Sequence, residues 1–469
     1  MNLAELPTTT PDASGAAVFR NRPFLLLWLS QLTTQVGGNM VLYGLTVLIR
    51  DLTGSNSAVA VLILTFLAPA VVFSALAGVY VDRFDRRKVL VVTNLLRAFF
   101  FIALALFNMN IGVVFALNIA VSIATTFFAP AELSMIPLLV PRGQLTAANG
   151  VFTLTLNAAF AIGFTVLGPL VVTIANPTIL IAMVAALYLV AAAFCWTLPP
   201  APPGTMPRDG ALHEAEEAVG SFINQFREGI AYVRAHPTVR WALLYLGVAA
   251  SIVGILGVLG PGFAEDVLGL RTKDFVVVVL PLGIGVVVGA VGVNSLQGVV
   301  SRRRLIEVGM IVLGFSLGLI SIAGSIAQFV RDVDDAVPGP DISAFISVLT
   351  VVVVVAFVAG VGYAATAIPA QTELQAEIPQ AVRGRVFGIL NMLVSVGSLL
   401  PIIVVGPISD VVGTMPVVLA AAIVTVVVGI ASLARRRDAG PPGDPSGSVV
   451  VVPAEAEATA TAGPSPEEP

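Results

Sequence analysis

Twelve apolar segments, each long enough to cross a lipid bilayer as a helix, restrict the fold of this chain more than any other feature. A bilayer core about 30 Å thick requires roughly 20 apolar residues per helix. Because lipid offers no hydrogen-bond partners to an open backbone, each segment is expected to be helical. The fold class predicted is an all-α polytopic membrane protein. The twelve predicted spans are 24–49, 57–81, 89–108, 112–139, 147–174, 178–198, 240–264, 274–299, 305–329, 343–375, 384–410 and 414–434.

The composition supports this fold class and argues against several others. Hydrophobic residues make up 57% of the 469 residues and charged residues only 11%, which is less than half the charged fraction of a typical soluble domain. The net charge of −4 argues against nucleic acid as a partner. The single cysteine, Cys195, cannot form an internal disulfide, and together with His213 and His236 it cannot build a usual zinc site. No metal site is therefore expected.

The basic residues predict how the chain is oriented. With twelve spans, both termini lie on the same side of the membrane. Of the 24 Lys and Arg residues, 19 fall on that side, 4 fall on the other side and Arg97 lies within a span. Because cytoplasmic loops carry an excess of Lys and Arg, both termini are predicted to be cytoplasmic. The protein is accordingly expected in the cell membrane, with the lipid bilayer as one of its partners.

A long connection divides the twelve spans into two groups of six. It begins Pro-rich, becomes acidic and ends with apolar residues at helical spacing, which predicts a cytoplasmic linker containing an amphipathic helix. The predicted domains are a cytoplasmic N-terminal segment 1–23, a six-helix bundle 24–198, the linker 199–239, a second six-helix bundle 240–434 and a disordered cytoplasmic tail 435–469.

The two groups of spans also resemble each other in sequence. The fourth and tenth spans end with similar residues, which are Pro130, Glu132 and Pro137 in one and Pro369, Glu373 and Pro379 in the other. Parallel six-helix repeats related by an axis along the membrane normal are one known transporter plan. The sequence therefore predicts two six-helix pseudo-repeats.

The loop after the second span carries the most specific motif of the chain. Its residues are Gly78, Asp82, Arg83, Arg86 and Arg87. The glycine would allow two helices to approach closely, and the aspartate could accept from the N–H groups of a neighbouring helix or pair with an arginine. This pattern closely resembles the Gly-x3-Asp-Arg-x-Gly-Arg-Arg signature of the major facilitator superfamily, with Asp85 at the position of the usual glycine. A plain basic cytoplasmic loop is the alternative.

Three other stretches, 127–149, 234–240 and 369–388, are similar to the drug:proton antiporter branch of this superfamily, which contains bacterial macrolide and multidrug exporters. A siderophore exporter branch is similar. The resemblance spans roughly residues 20–435 and implies the twelve-helix major facilitator fold. It also implies roles in conformational gating for the loop motif and for two further groups, Gly168-Pro169 and Arg383-Gly384-Arg385. The fifth span keeps only part of the antiporter pattern, because positions 164 and 172 are Phe and Val, and a Gly-Pro pair can also simply kink a helix.

Few ionisable residues lie inside the predicted spans. Arg97 in the third span and Glu132 in the fourth are predicted to lie at similar depth on adjacent antiparallel helices, where they could form an ion pair. Because such residues cost roughly 2.5–3.5 kcal/mol on insertion scales, they tend to be functional or paired. Arg97, Glu132 and, nearer the inner surface, Glu373 are therefore candidates for proton coupling. A permanent structural ion pair is the alternative for the first two.

Polar side chains at helical spacing mark the expected substrate pathway. Gln31, Gln35 and Asn39 share one face of the first span. Similar candidates on the fourth, fifth and eleventh spans are Asn118, Ser122, Asn157, Asn391 and Ser395. Lipid cannot satisfy these groups, so they should face a central pathway or a neighbouring helix. The predicted pathway holds no unpaired acid near the middle of the membrane, which argues against strict selectivity for cations.

Together these features predict a secondary active transporter that exports small amphiphilic compounds by alternating access, driven by the proton gradient. The sequence contains no Gly-x4-Gly-Lys-Ser/Thr loop for ATP, so we expect no cofactor. The expected partners are a small-molecule substrate and protons, and the protein is expected to act as a monomer. Import of a small nutrient and export of a siderophore-like metabolite remain alternatives on the same fold. An enzyme is not expected, because no convergent His, Asp and Glu set lies within the spans.

Overall fold

Twelve long helices form the described part of the protein, and no strand occurs there. The computed structural model describes residues 18–201, 224, 227, 229–296, 299–323, 325, 348–377 and 383–438, at some helical positions by the backbone alone. The first half contains α1 (Arg22–Thr53), α2 (Asn56–Asp82), α3 (Arg86–Phe107), α4 (Ile111–Leu139), α5 (Leu145–Phe160, Ala161–Leu167 and Gly168–Ile174) and α6 (Pro177–Trp196). The second half contains α7 (Pro237–Asp266), α8 (Val276–Leu296), α9 (Arg302–Ser321), α10 (Val348–Glu377), α11 (Arg383–Val412) and α12 (Thr414–Asp438).

The helices are long and apolar enough to cross a membrane. Eleven described segments meet this condition, and α11 contributes the shorter apolar segment Gly397–Val412. The helices agree with the predicted spans to within a few residues at most of their ends. The ninth span was expected to continue to residue 329, but α9 ends at Ser321, whose hydroxyl donates to the carbonyl of Met415 on α12.

The predicted termini and linker lie largely outside the described residues. This applies to residues 1–17, to most of 202–228 and to 439–469. Within the predicted linker, residues 229–235 are helical. The last helix continues to Asp438, four residues into the segment 435–469 that was predicted to be the tail.

Local sequence signals set the ends of several helices. Asn21 begins α1 by accepting a hydrogen bond from the N–H of Phe24, and Gly54 ends the helix with a φ of 64°, a left-handed conformation that glycine adopts readily. Asp85 begins α3 by accepting from the N–H groups of Arg87 and Lys88. The aspartate that replaces the usual glycine of the loop motif therefore acts as a helix N-cap.

The fifth helix changes its hydrogen-bond pattern at its centre. A π-helical segment, Ala161–Leu167, precedes Gly168 and Pro169, and proline cannot donate a backbone hydrogen bond. A Cβ atom added to Gly163 would lie 2.6 Å from the carbonyl oxygen of Val36 on α1. A Cβ added to Gly168 would lie 3.1 Å from the Cβ of Tyr43 on the same helix. The two glycines thus permit close packing of α5 on α1. This is a role in addition to any kink at the Gly-Pro pair.

Among the described residues, buried apolar clusters join the two halves on one side of the molecule only. We call the side where α1 begins and α12 ends the terminal face, and the other side the opposite face. The largest apolar cluster joins both halves near the opposite face and includes Leu48, Ile63, Val258 and Val405. Nearer the terminal face each half has its own cluster, represented by Leu90 and Met135 in the first half and by Ile306 and Leu374 in the second. This conformation is therefore closed at the opposite face.

Candidate functional site

A cavity of about 90 Å³ lies inside the first half, among α1, α2, α3, α4 and α6. Apolar side chains from α1, α2 and α3 form much of its wall, among them Leu42, Phe66 and Phe101. Polar side chains from four helices face the same space, and these are Thr34, Gln35, Asn39, Arg97, Asn118, Thr125 and Tyr188. The wall can therefore contact both an apolar body and hydrogen-bonding groups.

Three of the predicted substrate residues line this cavity: Gln35, Asn39 and Asn118. The Asn39 Nδ2 donates to the carbonyl of Gln35, one turn earlier, at 2.8 Å. The Asn118 Nδ2 donates to the Thr65 Oγ1 at 2.9 Å and to the carbonyl of Leu62 at 3.3 Å. Asn118 thus also ties α4 to α2.

Two other predicted substrate residues are not part of the cavity wall. The Gln31 side chain is buried, and its Oε1 has no hydrogen-bond partner. The Ser122 hydroxyl donates to the carbonyl of Phe66 on α2. Of the two expected environments, Ser122 therefore faces the neighbouring helix in this conformation, and its hydroxyl holds the two helices together. Three further predicted residues have side chains outside the described part of the protein, namely Asn157, Asn391 and Ser395.

Arg97 on α3 is a fully buried arginine, with 2% of its surface exposed. Its Nη2 donates to the Asn94 Oδ1 at 2.6 Å. Its Cζ lies 4.1 Å from the ring centre of Phe128 on α4 and 4.6 Å from that of Tyr188 on α6. Its Nε has no hydrogen-bond partner. Cation–π contacts with the two rings therefore hold the guanidinium at the cavity wall.

Glu132 on α4 is also buried, with 5% of its surface exposed, and its Oε1 has no hydrogen-bond partner. No ion pair between Glu132 and Arg97 occurs among the described residues. The expected pair is absent from this conformation because Asn94 and two aromatic rings hold the guanidinium instead. Glu373, the third residue of the predicted proton-coupling set, is partly buried on α10.

A buried acid in the second half was not among the residues predicted from the sequence. Glu307 on α9 is completely buried, and its Oε1 accepts from the Arg303 Nε and the Ser432 Oγ, both at 3.0 Å. The Ser432 hydroxyl also forms a 2.6 Å hydrogen bond with the hydroxyl of Tyr245 on α7. These contacts tie α9 to α12 and α7. An acid within the predicted ninth span was the signal that could have identified it.

A buried arginine links the two halves at the opposite face. The Arg50 guanidinium at the end of α1 forms ion pairs with Glu265 at 3.1 Å and with Asp266 at 2.8 Å, both on α7. Its Nη1 also donates to the Asn56 Oδ1 at 3.1 Å, and Thr414 donates to the second carboxylate oxygen of Asp266 at 2.8 Å. Residues from α1, α2, α7 and α12 therefore share one network.

Asp410 on α11 extends this network by capping a helix of the other half. Its carboxylate accepts from the N–H groups of Asn56 and Ser57 at 2.8 and 3.0 Å and from the Ser55 hydroxyl at 2.6 Å. A carboxylate at a helix N-terminus is favoured by the exposed N–H groups and by the helix dipole. Backbones also meet here, because a Cβ added to Gly406 would lie 2.9 Å from the carbonyl oxygen of Asn56.

No role was predicted for these residues from the sequence. The available signal was the placement of Arg50, Glu265 and Asp410 at the ends of apolar spans, on the side where few charges occur. Their pairing joins chain positions more than 200 residues apart. No local pattern could have predicted that pairing.

The loop motif at the terminal face is arranged differently from the prediction. Among the described residues, a Cβ added to Gly78 would meet nothing within 4 Å, so the expected close helix approach does not occur there in this conformation. The described apolar clusters of the two halves are separate at this face. Arg87 instead donates from its Nη2 to the carbonyl of Trp196 and lies 5.6 Å from that ring centre. Arg83 and Arg86 are partly buried. Four predicted gating residues have side chains outside the described part, namely Asp82, Arg383, Gly384 and Arg385.

Comparison with protein families gives a direct assignment. A sequence model of the Major Facilitator Superfamily matches residues 27–401, which is most of the chain. The chain belongs to the major facilitator superfamily. It is therefore a multi-pass membrane transporter of small molecules and not an enzyme. Proteins of this superfamily generally need no cofactor, and the described residues contain no group of three side chains that could hold a metal ion.

Two relatives with assigned functions are exporters. The multidrug efflux pump Tap of Mycolicibacterium fortuitum is 24% identical over 428 residues, covering 88% of this chain and 96% of the relative. Macrolide efflux protein A of Streptococcus pyogenes is 23% identical and covers 70% of this chain and 80% of the relative.

Solved structures confirm the fold. The nucleoside transporter NupG is similar with a TM-score of 0.64 at 14% identity, covering 88% of this chain and 99% of the other. A bacterial homologue of the human lysosomal transporter Spinster, in an inward-facing and occupied conformation, is similar with a TM-score of 0.63 at 14% identity, covering 89% and 97%. At these sequence identities, the structural similarity defines the fold alone.

Proposed function

We propose that this transporter exports small amphiphilic compounds through the cell membrane by alternating access, driven by the proton gradient. The observation that carries the proposal is the arrangement of the two halves. They are joined at the opposite face by the Arg50 network and have separate apolar clusters at the terminal face. Rocking of one bundle against the other would open and close the two faces in turn.

The distribution of basic residues supports a cytoplasmic terminal face. Of the 24 Lys and Arg residues, 19 belong to that side, and cytoplasmic loops are enriched in these residues. On this orientation the present conformation is inward-facing. It would receive substrate from the cytoplasm, which is the loading step of an exporter. Both halves of the pathway come from one chain, so we propose that a monomer is the transporting unit.

The functions of two relatives support export rather than import. One is a multidrug efflux pump and the other a macrolide efflux protein. The cavity wall supports an amphiphilic substrate, because side chains such as Phe66 and Phe101 lie beside amides such as Gln35 and Asn39. Asn391 and Ser395 on α11 remain candidates for contacts from the second half.

Glu132 supports proton coupling. A buried carboxylate without a hydrogen-bond partner is costly, and binding a proton removes that cost. Moving one elementary charge through the membrane potential yields about 2.3 kcal/mol per 100 mV. We propose that Glu132 carries the coupled proton and that Arg97, on the adjacent helix, influences its charge. Arg83, Arg86 and Arg87 are proposed to act in gating at the cytoplasmic face.

Inverted membrane vesicles test the direction and the energy source together. We expect vesicles from cells that overexpress the transporter to accumulate fluorescent amphiphiles when their interior is acidified, and vesicles from a deletion strain to accumulate none above background. A protonophore should abolish the accumulation. Uptake by right-side-out vesicles energised in the physiological direction would instead show an importer, and accumulation unaffected by the protonophore would contradict proton coupling.

A further inference from the structure

We infer that Arg97 is the anion-binding group of the substrate cavity, and that this transporter takes substrates bearing a carboxylate or a similar planar anionic group. The inference rests on the proposed function, since it names the chemical class of substrate for the same cavity. It gives Arg97 direct contact with the substrate, in addition to any influence on Glu132.

The contacts of the Arg97 guanidinium leave part of its hydrogen-bonding capacity for a ligand. An arginine side chain has five N–H donors in a planar fork. The Arg97 Nη2 donates to the Asn94 Oδ1, and the Arg97 Nε is buried without a hydrogen-bond partner. The rings of Phe128 and Tyr188 hold the guanidinium by its faces, at 4.1 and 4.6 Å. The charge is therefore fixed in position while part of its hydrogen-bonding capacity is unused.

Arg50, the other buried arginine of the described residues, shows the contacts that a paired guanidinium makes in this protein. Arg50 contacts Glu265, Asp266 and Asn56 through three of its nitrogen atoms. Arg97 has no acid in such contact. A buried charge without a counter-ion is costly unless a partner arrives, and a carboxylate matches the guanidinium fork with two parallel hydrogen bonds.

The size and lining of the cavity fit the acidic end of a substrate. A volume of about 90 Å³ is small beside the roughly 300–1,000 Å³ of pockets that enclose drug-sized ligands. It holds a carboxylate with its adjoining atoms but not a whole amphiphile. The Tyr188 ring and the amides of Gln35 and Asn118 line the same space, and Leu42 begins an apolar wall for the carbon atoms next to the acid.

The charge of the site selects against cations and suits export. A fixed positive charge repels ammonium groups, and the nearby carboxyl group of Glu132 can neutralise that charge only when it is itself ionised. Export of an anion also moves negative charge out of a cell whose interior is negative, so the membrane potential favours it.

Acid and amide pairs of probes test the inference, because a primary amide has nearly the shape of a carboxylate but no charge. The probes are benzoate and benzamide, 4-butylbenzoate and 4-butylbenzamide, and 4-biphenylcarboxylate and its carboxamide. Binding to the purified full-length transporter is measured by isothermal titration. We expect at least one acid to bind about tenfold more tightly than its amide, the effect of one charge-assisted hydrogen bond.

Substitution assigns that preference to one residue. Arg97→Gln should reduce the acid-to-amide affinity ratio to about one while amide binding remains. Arg142→Gln removes an exposed arginine from the same half and should leave the ratio unchanged. If Arg97→Gln is not monodisperse by size exclusion, Arg97→Lys replaces it and should lower the ratio at least threefold, because an ammonium cannot bind both carboxylate oxygens through a fork.

Two results overturn the inference: no acid is preferred by the unaltered transporter, or the Arg97 variant keeps the full preference. The amide probes distinguish failure of the anion-site inference from failure of the proposed function. Proton-dependent accumulation of the amides in inverted vesicles, without any preference for acids, would sustain export and remove the anion site. An acid preference lost in the Arg97 variant, without accumulation of any probe, would sustain the site and remove proton-driven export.

Discussion

At the scale of single residues, two buried ionisable groups of the first half are distinguished by their partners. Arg97 contacts Asn94 and two aromatic rings, while the Oε1 of Glu132 has no hydrogen-bond partner. Neither residue forms the ion pair expected from their similar depth. Arg97 is stabilised by groups that the sequence pattern did not indicate, and Glu132 remains the acid that a proton can neutralise.

Glu132→Gln is expected to remove the proton dependence of export. The amide keeps the size of the side chain but cannot exchange a proton, so accumulation in inverted vesicles should no longer respond to a protonophore. Glu373→Gln is the matched control, because Glu373 lies near the end of the corresponding helix of the second half, α10. If the proton dependence of accumulation survives in the Glu132 variant and is lost in the Glu373 variant, the proton-coupling residue lies in the second half.

At the scale of helices, close approach at glycine organises the first half more than the loop motif does. The π-helical centre of α5 brings Gly163 against the backbone of α1 at Val36. Gly78, which the motif singled out for close packing, has nothing near its missing Cβ in this conformation. The two glycines have the same sequence context of apolar neighbours, and only the position of a partner helix distinguishes them.

Gly163→Ala is expected to destabilise the transporter by about 1–3 kcal/mol, the usual penalty for overpacking. The added methyl group would lie 2.6 Å from the carbonyl oxygen of Val36, so α5 must move away from α1. Gly150→Ala is the control on the same helix, because a Cβ there meets nothing within 4 Å. Thermal unfolding of the two purified variants measures the difference. Equal unfolding temperatures would show that the helices do not approach as closely as described.

At the scale of the whole molecule, the halves are held together by a network of charges at one face. Arg50 is buried between two acids of α7, and Asp410 of α11 caps α2. An exposed ion pair lies on the same face, between Arg271 and Asp274 at 2.8 Å, with 71% of the Arg271 side chain exposed. Its hydrogen bond to Asp274 raises the pKa of Arg271 above the ordinary arginine value. Burial distinguishes the two pairs, since exposed pairs contribute little to stability.

Arg50→Gln is expected to shift the transporter away from the present conformation. Loss of the charge leaves Glu265 and Asp266 without their partner and weakens the closed face, so the alternative state, closed at the terminal face, gains population. A Gly78→Cys label site reports this, because the single natural cysteine, Cys195, is buried. We expect maleimide labelling of that site to fall severalfold when Arg50→Gln is added.

Arg271→Gln provides the control at the same face. Its ion pair is exposed, so its removal should leave labelling of the Gly78→Cys site unchanged. The two double variants combine Gly78→Cys with either Arg50→Gln or Arg271→Gln. Unchanged maleimide labelling in both would show that the Arg50 network does not hold the halves together.

The sequence by itself determined the helices, their number and the family. Apolar runs of bilayer length and the charges between them are local properties, and a membrane leaves the backbone little choice but to form helices. The loop motif indicated the superfamily that the family comparison confirmed. Gln35, Asn39 and Asn118 were predicted to line a pathway, because polar amides on an apolar helix need an inward partner, and they line the cavity.

Only the tertiary structure decided which partner each polar group takes and which face is closed. Arg50 pairs with acids 215 and 216 positions away, Ser122 binds a backbone carbonyl, and Arg97 lies between rings from two other helices. These choices depend on the rotation and spacing of packed helices, which hydropathy does not specify. The closed face is a property of one conformation, and a chain built for alternating access must encode at least two conformations of similar free energy.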